Sequence, residues 1–251
     1  MRLYWLSSND VVFRKEVTQC MDALVKDLLE QLECRNVFEI PIFGGISISE
    51  SVVVTWIIMA VLFVLCFFLG RNLSVENPSR KQLVIEMIVK GLYDTVAESV
   101  GKNGVRYIFY LMTVMIYIGF ANIIGVIGFK PPTKDMSVTV ALALMSIILI
   151  HLSGIIQKGV GGWLKGFMQP VPVLLPLNIL EIFIKPLSLC MRLFGNVLGA
   201  FIIMELLKIV APVVVPGLFS LYFDLFDGGI QAYVFVFLTS LFIAEETETE
   251  E

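Results

Sequence analysis

The sequence predicts an all-α, polytopic membrane protein with about five membrane helices and one amphipathic helix at the membrane surface. Composition is the first observation behind this fold class: 57% of the 251 residues are hydrophobic and 16% are charged, whereas soluble domains are about half apolar and about a quarter charged. The second is that the apolar residues form long runs. A run of about 20 residues, coiled as a helix, crosses a hydrocarbon core of about 30 Å.

Five apolar runs are long enough to cross a membrane. They are 51–70, 107–129, 136–156, 177–210 and 217–244. The first contains no charged residue. The fourth is longer than a perpendicular crossing requires, and it contains Arg192.

A charged segment between the first two runs predicts a different kind of helix, at about 78–99. Its apolar residues recur at helical spacing, which is typical of a helix that lies on a membrane surface. They are Leu83, Ile85, Ile88, Val89, Leu92 and Val96. A helix packed against a partner protein would show the same pattern.

The two ends of the chain differ from the predicted membrane domain, 51–245. Residues 1–50 include a stretch at 22–39 that reads as a short amphipathic helix, and residues 246–251 form an acidic tail. The connection from Gly70 to Arg106, with Arg106 included, has six Lys and Arg residues, and basic loops stay cytoplasmic. Five crossings then leave 1–50 outside the cytoplasm and the acidic tail inside it.

Several classes of function lack their sequence signals. The chain has no nucleotide-binding P-loop, and its four cysteines show no metal-ligand spacing. Neither end is basic enough to indicate nucleic-acid binding. We therefore expect no cofactor, no metal site and no nucleic-acid partner.

Arg192 is the principal candidate for function, because a charge near the centre of a bilayer costs at least ~2.5–3.5 kcal/mol. On a helical wheel, four polar residues lie within about 40° of it. They are Glu181, Lys185, Ser188 and Asn196. The alternative interpretation is a polar stripe that holds helices together.

The last apolar run repeats this pattern, because Asp224, Asp227 and Gln231 are spaced i, i+3, i+7. Two acids near one end and an amide deeper in suit a water-filled funnel. Acids are also favoured near the start of a helix, which is the simpler interpretation. Glu205 and Asn122 are further candidates for a polar cavity, although a lone Asn is often a packing hydrogen bond. For His151, near the end of a span, a solvated or satisfied histidine is a simpler interpretation than a proton relay.

These residues alone indicate an ion-conducting or transporting membrane protein with an essential arginine. A stand-alone secondary transporter, whose anionic substrate docks on Arg192, is the main alternative. A non-conducting membrane scaffold is the third.

The string PLNILEIFIKPLSLCMRLFGN, at 176–196, resembles the signature of the a subunit of rotary F-type ATP synthases. NIIGVIGFKPPTKDMSVTVALAL resembles the turn between earlier membrane helices of that family, and IQAYVFVFLTSLFIAE resembles its final helix. The resemblance covers roughly 51–245. It implies that the last two helices form a tilted hairpin against the c-ring.

The resemblance also implies roles for individual residues. Arg192 matches the family's stator arginine, and the other matches are polar residues: Asn196, Gln231, Glu181, Lys185 and Asn122. Two positions depart from the pattern. Phe201 stands where many members have a glutamate, which Glu205 could replace, and Asp224 stands where some bacterial members have a histidine.

The function implied by the resemblance is that of stator subunit a, a non-catalytic subunit without an ATP site. Two aqueous half-channels would pass H+, or Na+, to and from the carboxylates of the c-ring, coupling the ion gradient to rotation and ATP synthesis. Its expected partners are the c-ring, the b subunits of the peripheral stalk and the lipid bilayer. The expected location is a bacterial plasma membrane.

Overall fold

The computed structural model describes residues 36–40, 46–71, 73–74, 78–101, 104–127, 131–166, 175–210, 217 and 219–247. Contacts between Cα atoms divide the chain into two units, Met1–Ser49 and Glu50–Glu251. This division falls next to the boundary that the sequence predicts at residue 50.

In the first unit, the described residues form an antiparallel pair of strands, β1 (Asn36–Ile40) and β2 (Ile46–Ser49). Phe38 lies opposite Ile48, and Ile40 opposite Ile46. The helix predicted over 22–39 is therefore wrong at its end, because β-branched and aromatic residues favour a strand there. The remainder of that predicted helix lies outside the described residues.

Six α-helices account for most of the residues that the structure describes in the second unit. They are α1 (Glu50–Leu69), α2 (Arg80–Val100), α3 (Ile108–Ile123), α4 (Met136–Gly166), α5 (Leu175–Val210) and α6 (Gly228–Thr247). Five helical segments of the described residues are long and apolar enough to cross a membrane, and α2 is not among them. The predicted fold class, a polytopic membrane protein with five spans and one further amphipathic helix, is confirmed.

The ends of the spans differ from the predicted ends for local reasons. α3 stops at Ile123 and continues as a 3-10 turn, Ile124–Ile127. α4 runs on to Gly166 through a kink at Gly159, whose φ of +72° only glycine adopts readily. The last span begins with a π-helix, Leu221–Asp227, before α6.

The core of the second unit lies where α3, α4, α5 and α6 meet. Ile118, Leu193, Phe235 and Ile243 are among its fully buried side chains. α1 packs at the side of this bundle through Val54 and Ile58. These contacts hold α5 and α6, the helices that carry most of the candidate site, beside each other.

The amphipathic helix α2 is attached to this bundle by its second half. Val96 and Val100 are buried in the core, while Leu83, Met87 and Ile88 in its first half are exposed. Ser79 caps its start by accepting a hydrogen bond from the backbone N–H of Gln82, at 3.2 Å. The exposed apolar residues agree with a helix whose first half contacts lipid or a partner.

Candidate functional site

Two side-chain contacts fix how α5 and α6 run past each other. Asn196 Nδ2 donates to Gln231 Oε1 at 2.6 Å, and Lys185 Nζ lies 2.9 Å from Glu245 Oε2. Along α5 the two contacts are separated by about 16 Å, at 1.5 Å per residue. Since the higher-numbered residue of α6 meets the lower-numbered residue of α5, the helices are antiparallel.

Arg192 lies between these two contacts, one helical turn before Asn196. Its side chain is partly buried. Among the described residues, no hydrogen bond or ion pair joins the Arg192 guanidinium to another side chain. Buried charges are normally paired, because desolvation costs several kcal/mol per ion. The described part of the chain therefore supplies no counter-charge for Arg192.

Gln231 is the most deeply buried of the predicted site residues whose side chains the structure describes, with 3% of its surface exposed. Its Oε1 accepts from Asn196, but its Nε2 has no hydrogen-bond partner among the described residues. Asn196, which follows Arg192 by one helical turn on α5, thus forms an amide pair with Gln231 that leaves one donor unused, and a role for this pair beside Arg192 stays a prediction.

Asn122, near the end of α3, is held in packing contacts. Its Nδ2 donates to the carbonyl of Gly228 at 3.1 Å, and its Oδ1 accepts from Thr133 Oγ1 at 2.9 Å. A Cβ added at Gly228 would lie 2.7 Å from the Cβ of Asn122, so glycine is what lets α6 begin against α3. These contacts match the packing interpretation of Asn122, and a place for it on an ion path stays a prediction.

Asp224 and Asp227 lie in the π-helix that precedes α6, and both are partly buried. Ser220 Oγ donates to Asp224 Oδ2 at 2.7 Å. The Asp224 carboxylate packs beside Gly125, where an added Cβ would lie 3.0 Å from its Cγ. Asp224 and Gln231 therefore contact different neighbours, which a uniform helical wheel through this segment does not show.

Phe201 stacks with a buried cation of the turn before α4. Lys134 Nζ lies 3.7 Å from the centre of the Phe201 ring, and 7% of the Lys134 surface is exposed. Such a contact is worth about 1–2 kcal/mol when desolvated. Glu205 follows one turn later on α5, and its side chain lies outside the described residues.

At the other end of α5, Lys185 is at the centre of a group of charges. Its Nζ lies 3.6 Å from Glu181 Oε2 and 5.0 Å from the ring centre of Phe242, besides the contact with Glu245. Glu181, Lys185 and Glu245 are called the lower cluster below. Ser188, one turn further on, is exposed.

The sequence analysis missed Glu245 as part of the site. α6 runs to Thr247, past the predicted end of the span at 244, because Glu245 and its neighbours contact α4 and α5. Glu245 comes fourteen residues after Gln231, which is close to a whole number of helical turns. That spacing was the signal that could have placed both on one face of α6.

These features define a class of protein. It is a polytopic α-helical membrane protein whose last two spans carry amides, carboxylates and cations along their contact, and the described residues contain no cluster of metal ligands.

Comparison with known proteins identifies the family. The family model described as ATP synthase A chain matches residues 52–244. ATP synthase subunit a of Moorella thermoacetica is 41% identical over 202 residues, covering 80% of this chain and 92% of that protein. ATP synthase subunit a 2 of Acaryochloris marina is 36% identical over 211 residues, covering 83% of this chain and 90% of that protein. The chain belongs to the ATP synthase A chain family, the stator subunit a of the membrane sector of F-type ATP synthases.

This membership confirms the expected part in ATP synthesis and ion transport as a multi-pass membrane subunit of a larger complex.

Proposed function

We propose that this subunit forms two aqueous half-channels for H+, or for Na+, that meet the c-ring on either side of Arg192. The single observation that carries the proposal is the unpaired guanidinium, because the described part of the chain offers no acid to Arg192. A carboxylate on a moving neighbour would supply the missing counter-charge, once for each ring subunit that passes.

The surface around Arg192 supports a neighbour at this place. Ser188, Met191 and Asn196 flank the arginine and are exposed. On the same span, Phe183 is 69% and Leu187 is 59% exposed. In the most apolar part of this span 17% of the residues are buried, against 44% in α4 and in the last span and 6% in α1. The c-ring is the partner that we assign to this uncovered face.

The charge of Arg192 gives the ring carboxylate two states. Away from the stator, the carboxylate is neutral because it carries its ion in contact with lipid. Beside Arg192 the ionised form is favoured, since an opposite charge within ~4–6 Å stabilises it. The ion is then released into the path that the lower cluster lines, with Glu181 and Lys185.

Reloading takes place on the other side of Arg192. The emptied carboxylate passes the guanidinium and takes up an ion from a path whose polar lining is Asp224, Asp227 and Glu205. Asn196 and Gln231 hold the two helices together between the paths, with Ser188 and Asn122 at their borders. A membrane potential adds ~2.3 kcal/mol per elementary charge per 100 mV to the driving force.

Arg192 also keeps the two paths separate, since its positive charge repels cations that would pass directly from one to the other. Arginine suits this task because it stays protonated at any accessible pH, whereas a desolvated lysine can lose its proton.

The orientation that we propose follows from the basic connection between α1 and α3. Residues 1–50 lie outside the cytoplasm, the C-terminus lies inside it, and the membrane is a bacterial plasma membrane. The b subunits of the peripheral stalk are the second partner that we propose, because the stator must be held against the turning ring.

Substitution of Arg192 in the assembled complex tests this function. Arg192→Ala should lower gradient-driven ATP synthesis in reconstituted vesicles by at least ~100-fold, the usual size of losing one preorganised charge at the site of action. The matched control is Arg106→Ala, which removes an exposed arginine at the end of a span. Synthesis that persists in the Arg192→Ala complex contradicts the proposal, as does solute uptake by the purified subunit alone.

A further inference from the structure

His151, on α4, meets Glu246, on the last turn of α6, beside the lower cluster. His151 Nδ1 lies 3.7 Å from Glu246 Oε1, and each side chain is 18% exposed. The imidazole also makes an edge contact with the ring of Trp163, with 5.8 Å between the ring centres. An imidazole and a carboxylate are thereby placed side by side in a mostly buried site.

The hydrogen-bonding capacity of this imidazole is unused. Both ring nitrogens of His151 are buried, and neither has a hydrogen-bond partner among the described residues. Buried polar side-chain atoms are in the large majority bonded, and a buried histidine that serves packing alone usually has one nitrogen satisfied. The simpler interpretation of His151 as a satisfied histidine therefore does not describe its surroundings.

The backbone of α4 leaves room for the carboxylate. A Cβ added at Gly154, one turn after His151, would lie 2.9 Å from Glu246 Oε2 and 3.1 Å from Cδ1 of Trp163. Glycine inside a helix costs about 1 kcal/mol relative to alanine. Here it allows Glu246 to approach the helix that carries His151.

The pair is continuous with the lower cluster. The charged groups within electrostatic range of Glu246 are Lys158 on α4, Glu181 and Lys185 on α5, and Glu245 on α6. Lys185 also interacts electrostatically with His151. Carboxylates, amines and one imidazole thus form a row of polar side chains that runs from α5 across α6 to α4.

We infer that His151 and Glu246 form a proton-transfer pair at the end of the path that the lower cluster lines. This inference rests on the proposed function and commits this path to protons. The neutral His151, with its proton on Nδ1, takes up a second proton from water at Nε2 once side-chain rotation brings that buried nitrogen to water. It then releases the proton on Nδ1 to a Glu246 carboxylate oxygen, which passes it to water, and a flip of the ring restores the starting tautomer. One proton moves, and only N–H and O–H bonds form and break. Side-chain rotation must first shorten the 3.7 Å separation to ~2.7–3.2 Å.

Passive proton conductance through the membrane sector, with the catalytic head removed from vesicles, tests the pair. His151→Gln and Glu246→Gln should each lower the conductance by about tenfold or more. The dependence of the conductance on pH should also differ between His151→Gln and the unchanged complex, since glutamine cannot take up the proton that the imidazole carries. Glu98→Gln, an exposed carboxylate on α2, is the matched control and should conduct as the unchanged complex does.

Chemical rescue separates proton transfer from packing. External imidazole should restore much of the conductance to a His151→Ala complex that assembles in normal amount, because it can occupy the vacated space. Failure of imidazole to restore conductance, or unchanged proton conductance in His151→Gln and Glu246→Gln, overturns the inference. Those results leave the proposed function standing, since that function is contradicted by a working Arg192→Ala complex or by solute uptake through the purified subunit alone.

Discussion

Two cations on the same helix, Lys185 and Arg192, are seven residues apart and differ in their surroundings. Lys185 has carboxylates of Glu181 and Glu245 within 3.6 Å and 2.9 Å. Arg192 has no ion pair or hydrogen bond with the other residues that the structure describes. Seven residues are close to two helical turns, so both side chains leave α5 on nearly the same face.

The comparison shows how a subunit can leave one cation unpaired, so that the cation can interact with another chain. A cation paired inside the subunit has its electrostatic interaction satisfied before any partner arrives, and Lys185 therefore holds α5 against α6. A cation that the subunit leaves unpaired, with exposed neighbours such as Met191, remains available for an electrostatic interaction with a partner. In the function that we propose, Arg192 acts between subunits, and Lys185 acts within one.

The largest effect should come from changing the kind of charge at Arg192. Arg192→Lys keeps a positive side chain, but the ammonium is a point charge that can lose its proton when desolvated. We expect gradient-driven ATP synthesis to fall by about 10- to 100-fold, which corresponds to ~1.4–2.7 kcal/mol. The rate of ATP synthesis in reconstituted vesicles measures this decrease. An Arg192→Lys complex as active as the original would show that any cation suffices.

The second-largest effect should come from separating α6 from α3. α6 is bonded to α5, the helix of Arg192, through Asn196 and Gln231, so we expect a displaced α6 to disturb Arg192. Gly228→Ala would place a Cβ 2.7 Å from the Asn122 Cβ, and such overpacking costs about 1–3 kcal/mol. Thermal unfolding of the solubilised complex should show this loss of stability. Gly229→Ala is the matched control, because nothing lies within 4 Å of its added Cβ. Equal stability of the two variants would refute the close contact.

The amide pair beside Arg192 should matter less. Gln231→Leu leaves Asn196 without its 2.6 Å partner in a partly buried hydrogen bond, and a typical hydrogen bond contributes about 0.5–1.5 kcal/mol. We expect a decrease of about tenfold in ATP synthesis, or ~1.4 kcal/mol. In a double-mutant cycle, Asn196→Leu should add little to Gln231→Leu, because both remove the same bond. Fully additive losses would mean that the two amides act separately.

The smallest effect should come from Lys185. Lys185→Met keeps most of the side-chain volume and removes the contacts with Glu181, which is 44% exposed, and Glu245, which is 59% exposed. Exposed ion pairs contribute about 0–1 kcal/mol, so we expect a small decrease in thermal stability and synthesis reduced only a few-fold. A loss as large as that of Arg192→Ala would remove the distinction between the two cations.

The spans and Arg192 could be predicted from the sequence because they depend on local properties. Run length and apolar content define a membrane helix whatever its neighbours are, and an arginine in such a run is conspicuous. The contact between Asn196 and Gln231 joins positions 35 residues apart, and it depends on how two helices slide past each other. No helical wheel contains that information.

The ends of the helices and strands were harder to predict, because they too depend on contacts between residues that are far apart in the sequence. Glu246 reads as the beginning of an acidic tail, and only the cations and the imidazole on α4 and α5 show why the helix continues past Glu245. The strand at Asn36–Ile40 is fixed by its pairing with β2, which helical periodicity cannot reveal.

Disulfide cross-linking to the c-ring tests most directly whether Arg192 faces a moving carboxylate. Met191→Cys, at a position that is 49% exposed beside Arg192, would be paired with a cysteine next to the ring carboxylate. Phe109→Cys on α3, at a position that is 71% exposed, is the control. We predict rapid cross-linking from position 191 and none from position 109. Cross-links from position 109 alone, or none from position 191, would contradict the account.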